Sequence, residues 1–276
     1  MTRLTPSDIG FLALESSLME LENYLLSLTG VNFIALAAKA LDKPLGPSKE
    51  ILARQLVAVV PDTSGEGLIE GFSQALASIC ALLGTHSFIA APDALGFKEA
   101  KERGASLTLS SDDKDFLCRS CLHSKSSHNG PATGRGFAQI LSLMTGEGPK
   151  FRSVLVLGAG PVGLSGAQRL IELGFKPIIY DPNLEKALKA VQLAPGALLW
   201  DRGLGEIAKD FDLILDASCA TIPWPEEKFK PGSLISAPGL PGAVPPSSRY
   251  TLFREPLVVG TAVMLLKAAW PSYRNL

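Results

Sequence analysis

Residues Val154–Gly163 read VLVLGAGPVG: an apolar run leads straight into Gly158-x-Gly160-x-x-Gly163, and a helical apolar pattern follows from Val162 to Leu173. Strand, glycine turn and helix in that order build the phosphate-binding corner of a dinucleotide fold. Gly158 permits the tight turn, Gly160 lets a pyrophosphate approach the backbone, and Gly163 lets helix and strand pack closely. Ala159, Pro161 and Val162 complete a helix N-terminus whose free N–H groups attract phosphate. A second apolar run, Pro177–Tyr180, ends on Asp181, whose carboxylate is placed to hold ribose hydroxyls. Pro182-Asn183-Leu184 offers no arginine to a 2′-phosphate, so the expected cofactor is NAD and not NADP.

Ligands of open α/β sheets bind beyond the carboxyl ends of the strands. In the first half of the chain those ends carry Asp62-Thr63-Ser64-Gly65-Glu66-Gly67 and Ser110-Ser111-Asp112-Asp113; in the second half they carry Ala217-Ser218-Cys219 and Ala237-Pro238-Gly239. Ser64 is either a hydrogen-bonding partner of the substrate or a capping neighbour of the helix that follows. Asp112 and Asp113 either hold a cationic substrate or form a solvated turn. Ser218, Cys219 and Pro238 fall where a nicotinamide is expected, and Cys219 has no adjacent His or Lys to make it a nucleophile. Cys118-x-x-Cys121-x-His123 with His128 has the ligand types of a zinc site, but the spacing and the serine-rich turn between them favour reduced thiols, and no metal is expected.

The elements that must position these groups are legible as alternation. Thr5-Pro6-Ser7-Asp8 is a helix start, and a long helix is expected to about Leu28, with a second over Val31–Leu41 before a break at Pro44 to Pro47. Strands are then expected at Leu56–Val60, Ser87–Ala90 and Ser106–Leu109, separated by helices Gly67–Leu83 and Leu95–Arg103. That pattern implies an α/β fold whose first part, residues 1–134, is a helical cap with a small three-stranded parallel sheet. Cys118–Arg135 reads as a crossing between domains and Phe137–Met144 as a connecting helix. Residues 135–276 are expected to form a Rossmann domain, with later strands at Leu198–Trp200, Asp212–Asp216, Ser233–Ser236 and Leu257–Val259, while the last helix, Thr261–Trp270, is expected to return to the first domain.

With 276 residues and a net charge of −1, the chain has room for two cores and no basic stripe for nucleic acid. No apolar run reaches the length of a membrane span and no signal segment opens the chain, so a cytoplasmic protein is expected.

Taken together, these residues resemble the pyrrolysine synthase family, NAD-dependent dehydrogenases of 3-methylornithyl-lysine. The resemblance rests on Leu4-Thr5-Pro6, Pro61-x-Thr63-Ser64-Gly65-x-Gly67-x-Ile69, Ser87-Phe88-Ile89, Asp112-Asp113-x-x-Phe116-Leu117 and Thr133-Gly134. It continues through the glycine turn, Asp181, Ala237-Pro238-Gly239, Glu255-Pro256-Leu257 and Gly260-Thr261-Ala262. Pro161 stands where a lysine is familiar, Ala132 replaces a small thiol residue, and the Cys118–Asn129 connection differs. The resemblance implies that Thr63, Ser64 and Asp112 or Asp113 serve the substrate and that Leu4 and Thr5 sit on a first helix that closes over it. It also implies cofactor contacts from Gly260 and Thr261, and a homodimer. The implied reaction oxidises the terminal amine of 3-methyl-D-ornithyl-L-lysine, releases ammonia by hydrolysis of the imine, and closes a pyrroline ring on the resulting aldehyde. The residues alone leave two alternatives, a dehydrogenase of another amine, imine or 2-oxo acid, and a non-catalytic NAD-binding module.

Overall fold

The computed structural model describes residues 4–65, 67–112, 115–146, 152–201, 208–220 and 222–271. They form two compact units. One contains Leu4–Leu26, Val31–Asn129 and the chain from Val258 on; the other contains Ser27–Gly30 and Gly130–Leu257.

The first unit opens with α1 (Pro6–Leu12), started by a capping box in which Thr5 and Asp8 satisfy each other's backbone N–H groups. The chain then breaks before α2 (Glu15–Thr29), where one continuous helix was expected. The Ala13 carbonyl at the break is taken instead by the Ser78 hydroxyl, 3.2 Å away, so a tertiary contact replaces a helical one. After α3 (Phe33–Ala40), Pro44 and Pro47 open α4 (Leu45–Ala53) where only a break was expected. A proline in the first helical turn gives up an N–H that has no helical partner anyway. The alternation that follows is β1 (Leu56–Pro61), α5 (Phe72–Leu82), β2 (His86–Ile89), α6 (Asp93–Glu102) and β3 (Leu107–Ser111). The three strands are parallel, as expected, and lie in the order β2-β1-β3.

The segment read as a crossing between domains extends that sheet. β4 (Leu117–Ser120) and β5 (Ser126–His128) form an antiparallel hairpin on the β3 edge, giving the order β2-β1-β3-β4-β5. Its serines and histidines hid the strands, but pairing Leu109 with Cys118 and burying Cys118 completely supplies the apolar face.

The second unit begins with α7 (Asn129–Met144), longer than the expected connecting helix. It continues as β6 (Ser153–Leu157), α8 (Pro161–Glu172), β7 (Lys176–Tyr180), α9 (Leu184–Leu193), β8 (Leu198–Leu199), β9 (Leu213–Asp216), β10 (Leu234–Ala237) and β11 (Thr251–Arg254). All six strands are parallel in the order β11-β10-β9-β6-β7-β8. This is the doubly wound dinucleotide-binding order, with its switch point between β6 and β9. α7 and α8 meet backbone to backbone: a Cβ on Gly134 would stand 2.0 Å from the Val162 carbonyl oxygen.

The sixth strand is not Leu257–Val259. Those residues lead into α10 (Val258–Ala269), which belongs to the first unit, and β11 lies earlier. Val258–Leu266 are all buried, so the first turn of this helix shows no helical period and its valines read as a strand; the rest of it is the expected helix Thr261–Trp270, packed in the first unit.

Candidate functional site

The glycine turn at the end of β6 meets the demands its spacing implied. Gly158 has φ +95°, and a Cβ there would press 2.5 Å from the Ala217 carbonyl oxygen. A Cβ on Gly163 would fall 1.9 Å from the Gly158 carbonyl oxygen, whereas one on Gly160 would meet nothing within 4 Å. Two glycines are therefore needed by the protein itself, and the third leaves open space over the start of α8. Asp181 closes the turn from the end of β7. Its carboxylate accepts the Ala159 N–H at 2.8 Å and the Asn183 N–H at 2.8 Å, and a carboxylate has acceptor sites to spare for ribose hydroxyls.

These residues border a cleft of about 820 Å³, lined among others by Gly158, Ala159, Gly160, Pro161, Asp181, Ser218 and Cys219. The volume is in the range of cofactor sites. Trp224, Lys186 and Lys189 also line it and were not singled out from sequence. The lysines come from the face of α9 that follows Asp181, a placement visible only once the strand–helix junction is built. Among the expected cofactor residues, Val162 and Gly163 serve packing, Pro238 is buried at the end of β10, and Gly260 and Thr261 are buried in α10 of the other unit.

In the first unit, the loop after β1 gathers the other candidates. Asp93 accepts both the Thr63 N–H, at 3.0 Å, and the Thr63 hydroxyl, and these bonds hold the Asp93 carboxyl below its ordinary range. Asp93 does this from a backbone with φ +55°, a conformation uncommon outside glycine. Asp62 accepts the Ser64 N–H at 2.9 Å and the Ser64 hydroxyl at 3.3 Å. Both hydroxyls donate to carboxylates, and Thr63 and Ser64 are exposed. The Asp62 and Asp93 carboxylates make this loop acidic, a polarity that suits a cationic ligand such as an ammonium. A recess of about 380 Å³ beside Thr63 is floored by Phe72, Ser73 and Ser111.

Asp112 lies beneath this loop, 3% exposed. It accepts the N–H of Gly67 and of Asp115, each at 3.3 Å, and a Cβ on Gly65 would collide with its Oδ2 at 1.6 Å. This is a buried carboxylate, so the solvated-turn reading of Asp112 is corrected. Asp113 lies outside the described residues. Ser64 caps no helix, because α5 starts only at Phe72 after Gly71 in the left-handed region. Thr5 caps α1, and Leu4 before it is buried. α1 lies on α5, where a Cβ on Gly71 would stand 3.1 Å from the Ile9 side chain. Cys118 is buried and Cys121 exposed, and among the described residues no three His, Cys, Asp or Glu side chains converge as metal ligands.

The fold and the glycine-lined cleft define a protein of the Rossmann, dinucleotide-binding fold class. A solved structure of shikimate dehydrogenase from Aquifex aeolicus superposes with a TM-score of 0.50 at 17% identity, covering 78% of this chain and 90% of that one. The family described as "Pyrrolysine biosynthesis protein PylD, N-terminal domain" matches residues 12–127. Pyrrolysine synthase from Methanosarcina barkeri (strain Fusaro / DSM 804) is 32% identical over 270 residues, spanning 96% of this chain and 97% of the relative. Pyrrolysine synthase from Methanosarcina acetivorans is 35% identical over 217 residues, 76% of this chain and 80% of the relative. The chain belongs to the pyrrolysine synthase family.

Proposed function

We propose that the protein catalyses the NAD-dependent oxidation of the terminal amine of 3-methyl-D-ornithyl-L-lysine, followed by loss of ammonia and ring closure to pyrrolysine. The observation that carries this reading is the pairing of open space over Gly160 with the Asp181 carboxylate at one end of a single cleft. Gly158–Gly163 and the start of α8 would hold the pyrophosphate, Asp181 the ribose, and the strand ends at Ser218 and Cys219 the nicotinamide half. Bound there, NAD supplies the acceptor for the hydride leaving the amine-bearing carbon.

The residues of the first unit take the proton and the charge. An alkyl ammonium cannot become an imine until it loses a proton, and the buried Asp112 is the group assigned to receive or orient it. The Asp62 and Asp93 carboxylates beside Thr63 and Ser64 support the choice of a protonated amine over an anionic substrate. α1, carrying Leu4 and Thr5 at its start, would close over the substrate and exclude water during hydride transfer. Water is then needed to hydrolyse the imine to aldehyde and ammonium, and the ornithine α-amine condenses with that aldehyde, releasing one water as the ring closes.

The test is to incubate the protein with the dipeptide and NAD while following NADH absorbance and product mass. Stoichiometric NADH and a cyclised product are expected. Turnover of a simple amino acid instead would move the activity to another amine or oxo acid, and saturable NAD binding without turnover of any amine would leave a binding module.

A further inference from the structure

Asp216 ends β9, directly beneath the cleft, and its side chain is completely buried. One carboxylate oxygen accepts the Ser218 hydroxyl at 2.6 Å and the Ser218 N–H at 3.2 Å. The other accepts the Val244 N–H at 3.0 Å, with the Arg254 guanidinium 3.8 Å away. Arg254 in turn donates to the Val244 carbonyl at 2.6 Å, and the Ser218 hydroxyl oxygen accepts the Ala243 N–H at 3.0 Å. The loop after β10 is wrapped tightly around the same carboxylate: a Cβ on Gly242 would come within 2.7 Å of Asp216 Oδ2. Burial raises the Asp216 carboxyl above its ordinary range, a cost offset by these donors.

Ala217, Ser218 and Cys219 line the cleft from one side and Ala243 from another. In this fold that end receives the nicotinamide half of the cofactor, while Asp181 marks the adenosine half. The Ser218 hydroxyl is occupied both as donor and as acceptor, so it shapes the wall and has no proton left for the cofactor. We infer that Asp216 is a positioning residue for the nicotinamide half: its buried carboxylate locks the 217–219 loop to the 243–244 loop. This rests on the cofactor reading above.

The experiment compares two ligands by calorimetry, NAD and ADP-ribose, which lacks the nicotinamide. Asp216→Asn keeps the size of the side chain but turns one acceptor into an N–H donor, which cannot face both the Ser218 pair and Val244. The variant should lose about tenfold or more in NAD affinity, the scale of a hydrogen bond to a charged group, with ADP-ribose affinity held within about twofold. Ser218→Ala, which removes only the bridging hydroxyl, should show the same selective loss to a smaller degree and carries the test if Asp216→Asn does not fold. Equal weakening of both ligands would mark a general structural role and overturn the inference, as would unchanged NAD affinity. A wild-type protein that binds neither ligand would overturn the cofactor reading itself; one that binds both while the variants keep its NAD-to-ADP-ribose ratio would overturn the inference alone.

Discussion

Each unit places a carboxylate against a glycine-bearing loop, yet the two arrangements are built over different distances along the chain. Asp181 reaches Ala159 across one strand–helix–strand unit, 22 residues, a span set by the geometry of the fold. In the other unit Thr63 is held by Asp93 from 30 residues away and Gly67 by Asp112 from 45. The glycine turn is a local solution of the dinucleotide-binding fold. The loop proposed for the substrate is assembled from carboxylates on separate strand ends and helix starts, which is where chemistry can vary while the scaffold stays.

The sharpest way to break that contrast is Asp112→Asn. If the buried carboxylate handles the ammonium proton, turnover should fall about 10²- to 10⁴-fold with NAD affinity unchanged. A change confined to KM would reduce its role to substrate holding, and near-normal kinetics would remove it from the site. Asp181→Ala should act on the other unit alone: losing charge-assisted hydrogen bonds of about 1.5–3 kcal/mol weakens NAD roughly 10- to 150-fold in a titration. Unchanged affinity would show that the carboxylate only braces Ala159 and Asn183.

The glycines sharpen the comparison within one turn. Gly163→Ala has no room for its methyl and should cost about 1–3 kcal/mol in denaturant unfolding, while Gly160→Ala should leave stability within about 0.5 kcal/mol and weaken NAD. Equal stability losses would contradict the division between packing and cofactor glycines. The smallest expected effect is that of a chelator on the hairpin carrying Cys118 and Cys121: the melting temperature should not move, and a sharp fall would reveal a structural metal.

What was legible followed the same division. The six-stranded unit could be read nearly strand by strand, because each apolar run is short and the glycine turn announces the first. It failed at β11, whose Thr251 and Arg254 break the apolar run, and at the first turn of α10, whose buried valines imitate a strand, although the rest of that helix and its return to the first unit could be read. The hairpin β4–β5 was missed because its polar face dominates the composition. Ser64 and Asp112 could be read as candidates from their residue types at strand ends, but their partners could not. Nothing at Pro92-Asp93 announces a side chain that will reach back to Thr63, since a helix start with an acidic residue is ordinary. The burial of Asp216 is likewise a property of the loops folded over it and not of its neighbours in the chain.

α10 has one more consequence, for the order in which the molecule can be made. It packs on α3, α4, β4 and β5, elements synthesised more than a hundred residues earlier. The cofactor unit has its final strand at Arg254 and can close its sheet while those earlier elements still lack a buried helix. During vectorial synthesis the first unit must therefore wait, with the apolar surface of α3 uncovered, until residues 258–269 emerge. The unit begun first is completed last.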